Sequence, residues 1–294
     1  WRSKDMAYDN ITGTTRLTGL LGSPVMHSIS PAMHNEAFRI LGLDYIYLAF
    51  DVGEEGLADA VSGLRVLNVR GFNLTMPDKN LMCSLCDELS QASMLTGSVN
   101  TVVNEGGILK GYTTDGIGFM RSAAEKGLDL KGKTMTMLGG GGASKAICAQ
   151  AAIDGMREIC IFNRKGIRYR ELGYFVDKLS SSTGCKVSLY DLEDERTLYD
   201  TIGRSDILTN ATSVGMAPDI DKSIIKDTDV LIPSLTVADI IYNPRMTRLL
   251  QDAHSKGCKV FNGMYMLLYQ GAEAFRLWTG YDMPVEAVKD KYFR

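Results

Sequence analysis

The stretch that most limits how this chain can fold is Thr134–Leu138, a compact apolar run, followed at once by four glycines, Gly139–Gly142. Behind them comes an alanine-rich helical stretch, Ala143–Met156, and then a second strand candidate, Glu158–Phe162. Strand, glycine turn, helix and strand together fill roughly 30 residues, the size of one βαβ unit. Glycines at such a turn let backbone N–H groups approach a pyrophosphate, which the start of the helix then stabilises. Placed between a strand and a helix, Gly139-x-Gly141 points to dinucleotide binding. The third position of that fingerprint is Ser144 rather than glycine, which predicts looser packing of the helix on the strand.

Two other readings of the same region fail. Gly139 to Lys145 nearly spells the phosphate loop G-x-x-x-x-G-K-[ST], but Ser144 replaces the second glycine and Ala146 the magnesium-binding hydroxyl. Tyr174-x-x-x-Lys178 imitates the Tyr/Lys pair of short-chain dehydrogenases, yet it follows the glycine turn too soon and reads as a helix face. The end of the second strand bears on the cofactor. A site for NAD usually has a carboxylate there for the ribose hydroxyls. Here the residues are Asn163-Arg164-Lys165-Gly166, and adjacent cations suit a 2′-phosphate, so NADP is favoured.

The rest of the chain alternates strands and helices. Leu17–Leu21, Tyr45–Phe50 and Val69–Leu74 read as strands, and Ser30-Pro31 opens a helix that Gly42 closes. Pro77 leads into a helix carrying Leu81, Leu85 and Leu89. Val99–Val103 and Ile108–Tyr112 flank Asn104-Glu105-Gly106-Gly107, a hairpin signal. Asp115 caps a helix that runs to about Lys126. Later strands at Lys186–Leu189, Ile207–Asn210, Val237–Ile241 and Cys258–Phe261 give the rhythm of a doubly wound parallel sheet. Met264, Leu267, Leu268, Gly271, Phe275 and Trp278 recur at helical spacing. The expected architecture is α/β in two domains. One is an N-terminal α/β substrate domain of residues 1–114 plus 263–294, and the other a Rossmann domain of residues 115–262.

Composition agrees and removes other classes. At 294 residues, against a prior of ~150 per domain, two domains are expected. Thirty-two Lys and Arg against 35 Asp and Glu leave a formal charge of -3 with no block of like charges. That argues against nucleic-acid or membrane-surface binding. No apolar run reaches the ~20 residues of a membrane span. The six scattered cysteines, with no secretory signal read ahead of them, predict a reducing, cytoplasmic setting. Cys83-x-x-Cys86 lacks the second pair or histidine of a zinc site and reads as helix packing, so no metal is expected.

The first domain carries the polar residues. Ser28-Ile29-Ser30-Pro31 sets two hydroxyls at a helix start, where neutral donors and free N–H groups can hold a carboxylate. Lys79, in Asn73-Leu74-Thr75-Met76-Pro77-Asp78-Lys79, falls in the first turn of the expected helix, where the dipole disfavours its charge. Thr113-Thr114-Asp115-Gly116 supplies a carboxylate at a cap.

These segments, with Ser98-Val99-Asn100-Thr101, Gly139–Ser144, Asn163-Arg164, Asn210-Ala211-Thr212-Ser213 and Gly263 through Gln270, occur in the order seen in shikimate dehydrogenases. The chain resembles that family over nearly its whole length. Tyr242-Asn243-Pro244 and Ala272 through Trp278-Thr279-Gly280 look closest to its quinate/shikimate branch. The resemblance implies reversible, NADP-linked reduction of 3-dehydroshikimate to shikimate, on the route to chorismate and the aromatic amino acids. Lys79 and Asp115 would be the acid–base pair. Ser28 and Ser30, with Tyr47 beside them, would bind the carboxylate, and Thr75, Asn100, Thr114 and Gln270 the ring hydroxyls. Gly140, Gly141, Gly142 and Ala143 would cradle the pyrophosphate, and Asn163, Arg164, Lys165 and Gly166 the adenosine ribose. Ser213, Tyr242 and Gly263 would line the remaining groove. Quinate-using relatives often carry an acid where Gly166 stands; its absence weakens the case for NAD and leaves dual cofactor use open. The competing readings are quinate oxidation with NAD and a non-catalytic dinucleotide- or shikimate-binding sensor. The expected partners are small molecules, with a homodimer left open.

Overall fold

The computed structural model describes residues 11–293. They divide into two compact units, the residues up to Thr114 together with those from Gly271 onward, and Asp115–Gln270. The chain returns to the first unit inside its last long helix, and not ahead of that helix at residue 263.

The first unit holds β1 (Arg16–Gly22), α1 (Ser30–Leu41), β2 (Tyr45–Asp51), α2 (Glu54–Val66), β3 (Gly71–Leu74) and α3 (Met82–Leu85). It continues through β4 (Glu88–Leu89), α4 (Gln91–Thr96), β5 (Thr101–Glu105) and β6 (Ile108–Tyr112). The second unit has α5 (Asp115–Glu125), β7 (Thr134–Leu138), α6 (Gly142–Ile153), β8 (Glu158–Asn163), α7 (Tyr169–Ser182) and β9 (Lys186–Asp191). It continues through α8 (Glu195–Ile202), β10 (Ile207–Asn210), β11 (Thr236–Asp239), α9 (Arg248–Ser255) and β12 (Lys259–Asn262). Helix α10 (Met264–Thr279) spans the division, and α11 (Val285–Tyr292) ends the first unit.

The first sheet has the order β2-β1-β3-β5-β6-β4. Strands β1, β2 and β3 run parallel, while β5 reverses between β3 and β6. The β5–β6 hairpin closes on Gly106 and Gly107, with φ of 64° and 95°. That two-residue turn matches strand twist and needs residues free to take positive φ. Buried Leu57, Val61, Phe72, Met82, Val99 and Leu109 form an apolar cluster of this unit, with half-buried Cys83 and Cys86 packed against it.

The helix expected after Pro77 is the main difference from the sequence reading. Only Met82–Leu85 is helical, and Leu89 lies in β4, paired parallel to β6 through Leu89 and Gly111. Leu81, Leu85 and Leu89 have helical spacing, but backbone bonds from Asp87 N–H to Leu109 O and from Ser90 N–H to Gly111 O pull the segment into the sheet.

Trp278 brings the C-terminal part of the chain onto this sheet. Its indole N–H donates to Val102 O at 2.9 Å, and it lies across Gly71, where any Cβ would run into the indole. Arg70 Nε donates to Trp278 O at 2.7 Å, closing that end of α10. Beneath the indole, His34, Phe38, Tyr47 and Phe275 make a buried aromatic cluster.

The second sheet is wholly parallel, in the order β12-β11-β10-β7-β8-β9. Counted within the unit this is 3-2-1-4-5-6 read from its other edge, the doubly wound order whose switch point lies between β7 and β10. Gly116 and Gly118 let α5 lie close to its neighbours, since side chains there would meet Ala146 O of α6 and Met266 O of α10.

The buried His34 makes stability depend on acidity. Burial lowers its pKa from 6.5 to about 3, so its contribution is complete above pH 6.5 and is lost as pH falls toward 3. Between those limits the loss is about 1.4 kcal/mol per pH unit. Urea titrations at pH 7.5 and 5.5 are expected to show a larger drop for wild type than for His34→Phe; equal drops would exclude His34 as the source.

Candidate active site

In the first sheet the carboxyl ends of β1, β3 and β6 and the amino end of the reversed β5 share one edge. Apart from Tyr47, which lies within β2, the sequence-assigned residues of this unit collect there because each follows or precedes one of those ends. Ser28 and Ser30 follow β1, Thr75 and Lys79 follow β3, Asn100 precedes β5, and Thr114 follows β6.

Ser30 is the first residue of α1 and not its cap. The cap position is Ile29, without a side-chain bond, and Ser28 Oγ accepts the Ser30 N–H at 3.2 Å. Asp115 likewise opens α5 as its first helical residue, where a negative charge suits the helix dipole. Lys79 sits in a turn ahead of the four-residue α3. The dipole argument for it therefore lapses, because one turn of helix aligns few peptide dipoles.

Hydrogen bonds join these residues into a buried run. The Tyr47 hydroxyl donates to Asn73 Oδ1 at 2.8 Å, and Ser30 lies beside the phenol. Asn73 Nδ2 donates to Asn100 O at 3.1 Å and Thr101 Oγ1 at 2.9 Å. Thr101 Oγ1 donates to Asn100 Oδ1 at 3.0 Å, and Asn100 Nδ2 to Thr114 Oγ1 at 3.0 Å. The Thr114 N–H returns to Asn100 Oδ1 at 2.8 Å. Lys79 is tied in through its backbone, whose carbonyl accepts the Val99 N–H at 2.9 Å. Thr75 N–H donates to Leu21 O, and its methyl fills the space a side chain at Gly22 would need. Burial raises the Tyr47 phenol pKa, so it stays a neutral hydroxyl.

Asn73 and Thr101 were not singled out by sequence, although both lie inside segments that were. The available signal was polar residues on strands that are otherwise apolar. Asp78, next to Lys79, is also buried, and neither carboxylate oxygen has a partner among the described residues. Burial first, and then the charge of Glu54, push its carboxyl pKa up.

In the second unit the assigned residues fall at the carboxyl ends of five strands. Gly139 takes φ 97° and lies against Ala211 and Thr212 after β10, at the switch point. Gly141 caps α6 and Gly142 begins it, with open space where either would carry a side chain, and Ala143 follows in the same turn. Gly140 is needed for packing, since a Cβ would strike Leu172, and Gly263 likewise abuts Ile240 O. Ser144 donates to Gly139 O at 2.7 Å, so the missing third glycine becomes a bond holding the turn rather than looser packing. Asn163 ends β8, and its side-chain amide donates to Arg164 O. Lys165 pairs with Asp191 at 3.2 Å, while Arg164 is exposed, and Gly166 O accepts the Tyr169 N–H.

Ser213 and Tyr242 are exposed on the loops after β10 and β11. Both loops are tied to buried Asp239, which accepts from Asn210 Nδ2, Ile241 N–H and Thr247 Oγ1. Gln270 is the last residue of this unit, its amide donating to Leu267 O at 3.0 Å.

A doubly wound parallel sheet with a glycine turn at its switch point, joined in one chain to an α/β unit with a buried polar edge, defines a two-unit protein of the dinucleotide-binding type. Comparison with known proteins narrows this. Residues 20–102 match the family model described as the shikimate dehydrogenase substrate binding domain. Residues 263–291 match that of the shikimate 5'-dehydrogenase C-terminal domain. A Listeria monocytogenes protein named shikimate dehydrogenase (NADP(+)) is 50% identical over 285 residues, 97% of this chain and 98% of that one. An Escherichia coli quinate/shikimate dehydrogenase is 46% identical over 280 residues, 95% and 97% of the two chains. The crystal structure of Listeria monocytogenes shikimate 5-dehydrogenase in complex with shikimate and NAD superposes with a TM-score of 0.94 at 50% identity. It covers 96% of this chain and 98% of that one. The chain belongs to the shikimate dehydrogenase family.

Asp78 gives a test of the site's electrostatics. Because its carboxyl pKa is raised on folding, stability is lost as pH climbs through the carboxylate range. Asp78→Asn is expected to be more stable than wild type at pH 7 by about 1 kcal/mol, and no more stable at pH 3. Urea midpoints at both values check this, and a less stable variant at pH 7 would show that the charge has a partner.

Proposed function

We propose that this protein is an NADP-linked shikimate dehydrogenase that reversibly reduces 3-dehydroshikimate to shikimate, within the shikimate pathway. The observation that carries the reading is the buried hydrogen-bonded run Tyr47–Asn73–Thr101–Asn100–Thr114, with Ser30 beside the phenol. It is a set of neutral hydroxyls and amides suited to a ring that bears hydroxyls and a carboxylate. Family membership supports it, as does the Listeria relative crystallised with shikimate.

The second unit fits a dinucleotide. The open space at Gly141 and Gly142 leaves the N-terminus of the 12-residue α6 clear for a pyrophosphate, with Gly140 and Ala143 completing the turn. Asn163, Arg164, Lys165 and Gly166 would hold the adenosine ribose, and Ser213, Tyr242 and Gly263 the remaining length. When bound, the nicotinamide supplies the hydride or accepts it. The chain's own groups manage the substrate and its proton. Ser28 and Ser30 hold the carboxylate at the start of α1, and Thr75, Asn100, Thr114 and Gln270 hold the ring hydroxyls. Lys79 donates a proton to the oxygen of the reduced carbonyl and takes it back in oxidation, and Asp115 orients that hydroxyl. Asn100 links the two by chain and by bond. Val99, before it, is bonded to the Lys79 carbonyl, and Thr114, bonded to it, precedes Asp115. The six free cysteines support a reducing, cytoplasmic location.

One observation favours a second reading, in which NAD and quinate are also used. Lys165 is engaged by Asp191, which leaves Arg164 as the less committed cation for a 2′-phosphate. The Listeria crystal complex contains NAD, and the Escherichia coli relative is named for quinate as well.

Steady-state rates with shikimate and quinate, each with NADP⁺ and NAD⁺, test both. Shikimate with NADP⁺ is expected to give the highest kcat/KM; binding without turnover of any pair would leave a sensor instead. Lys79→Ala is expected to lower kcat by about 100-fold or more with the fold intact. Near-normal turnover would remove Lys79 from the chemistry. Arg164→Ala is expected to raise KM for NADP⁺ about 10-fold and leave that for NAD⁺ nearly unchanged; equal effects on both would clear Arg164 of phosphate recognition.

A further inference from the structure

Tyr47 is fixed more completely than packing alone requires. It lies on β2, the edge strand of the first sheet, so the outward N–H and C=O of its backbone face no strand. Asn35, on α1, answers both: its Nδ2 donates to Tyr47 O at 2.8 Å, and its Oδ1 accepts the Tyr47 N–H at 2.8 Å. Only a side chain carrying a donor and an acceptor side by side can do this, which means an amide. The phenol ring is stacked on His34, with centroids 4.5 Å apart and planes 9° from parallel, and Trp278 closes a second side at 5.9 Å.

His34 is a costly choice for a plate. Its ring is fully buried, and neither nitrogen has a partner among the described residues. Unsatisfied buried polar atoms cost about 1–3 kcal/mol each, so stability alone would favour a hydrocarbon ring there. His34 and Asn35 follow Ser30 on the same helix, one turn further along. The helix that presents Ser30 therefore also holds the backbone and ring of the tyrosine whose hydroxyl donates to Asn73 and lies beside Ser30.

We propose that Asn35 and His34 are positioning residues that hold Tyr47 so that its hydroxyl fixes the spacing between Ser30 and the Asn73–Asn100–Thr114 group. This rests on the reading of that edge as the shikimate site. A carboxylate at Ser30 and ring hydroxyls at Asn100 and Thr114 belong to one rigid ring, so the two ends must keep a constant separation. Tyr47 is the link, through Asn73, between them. Loosening its backbone lets the hydroxyl drift and weakens binding of the ring acid without touching the proton-transfer groups or the dinucleotide residues.

The test is Asn35→Ala in the full-length protein. KM for shikimate is expected to rise about 10-fold, the worth of about one to two hydrogen bonds, with kcat within about 3-fold and KM for NADP⁺ unchanged. In a Tyr47→Phe background the same substitution is expected to add less than 2-fold, because the hydroxyl it positions is gone. Isothermal titration with shikimate should show the same weakening, and circular dichroism should show a retained fold. Should Asn35→Ala fail to fold, Asn35→Asp keeps the acceptor half of the pair and is expected to raise KM by about 3-fold.

Unchanged shikimate affinity in either variant overturns the positioning role. So does an equal rise in both KM values, or an effect undiminished beside Tyr47→Phe. If the variants bind like wild type while wild type turns over shikimate, only the positioning role falls. A wild type that neither binds nor oxidises shikimate takes down the functional reading and this one together.

Discussion

A parallel strand cannot turn directly back onto its neighbour; its connection must cross a face of the sheet and start again at the far end. Everything that follows the carboxyl end of such a strand therefore lands on one edge. In the second sheet this delivers Gly139–Gly142, Asn163–Gly166, Ser213, Tyr242 and Gly263 to a single side from five separate strands. In the first sheet the reversal of β5 extends the same effect, because it puts Asn100 at the edge where β1, β3 and β6 end.

At that edge of the first unit, the buried polar groups satisfy one another. Tyr47, Asn73, Asn100, Thr101 and Thr114 are all at most 6% exposed, and each has a hydrogen-bond partner within the run. Buried polar atoms without partners are expensive, so a site of this kind holds only if its members fit as a set. The set is therefore held by its own hydrogen bonds, and on the proposed function a ligand there would need little ordering of the protein. The exceptions, Asp78 and His34, lie next to it and carry the polar atoms that the surrounding packing leaves unanswered.

Several residues have two explanations, and the packing separates them. Gly140 and Gly263 are glycines because Leu172 and the Ile240 carbonyl occupy the space of a side chain. Gly141 and Gly142 face open space, so packing does not require glycine at either position. Asp239 does for the second unit what Asn35 does for Tyr47, holding two loops from beneath by their polar atoms.

The sequence by itself determined the alternation of strands and helices, the βαβ unit around Gly139 and the order of motifs that identifies the family. These are local properties: the period of apolar residues, the need for glycine in a tight turn and the preference for proline at a helix start. It misread the segment after Pro77, because Leu81, Leu85 and Leu89 fit a helix as well as they fit a turn and a short strand, and pairing with β6 decided between them. It placed the return to the first unit at residue 263, but the division falls within α10 at Gly271. Tertiary structure alone decided that Asn73 and Thr101 bridge Tyr47 to Asn100, that Ser144 bonds the glycine turn and that Lys165 is engaged by Asp191. Each of those bonds joins residues that are brought together by strand pairing or a turn, and no sequence spacing encodes where an edge strand leaves its hydrogen bonds unmade.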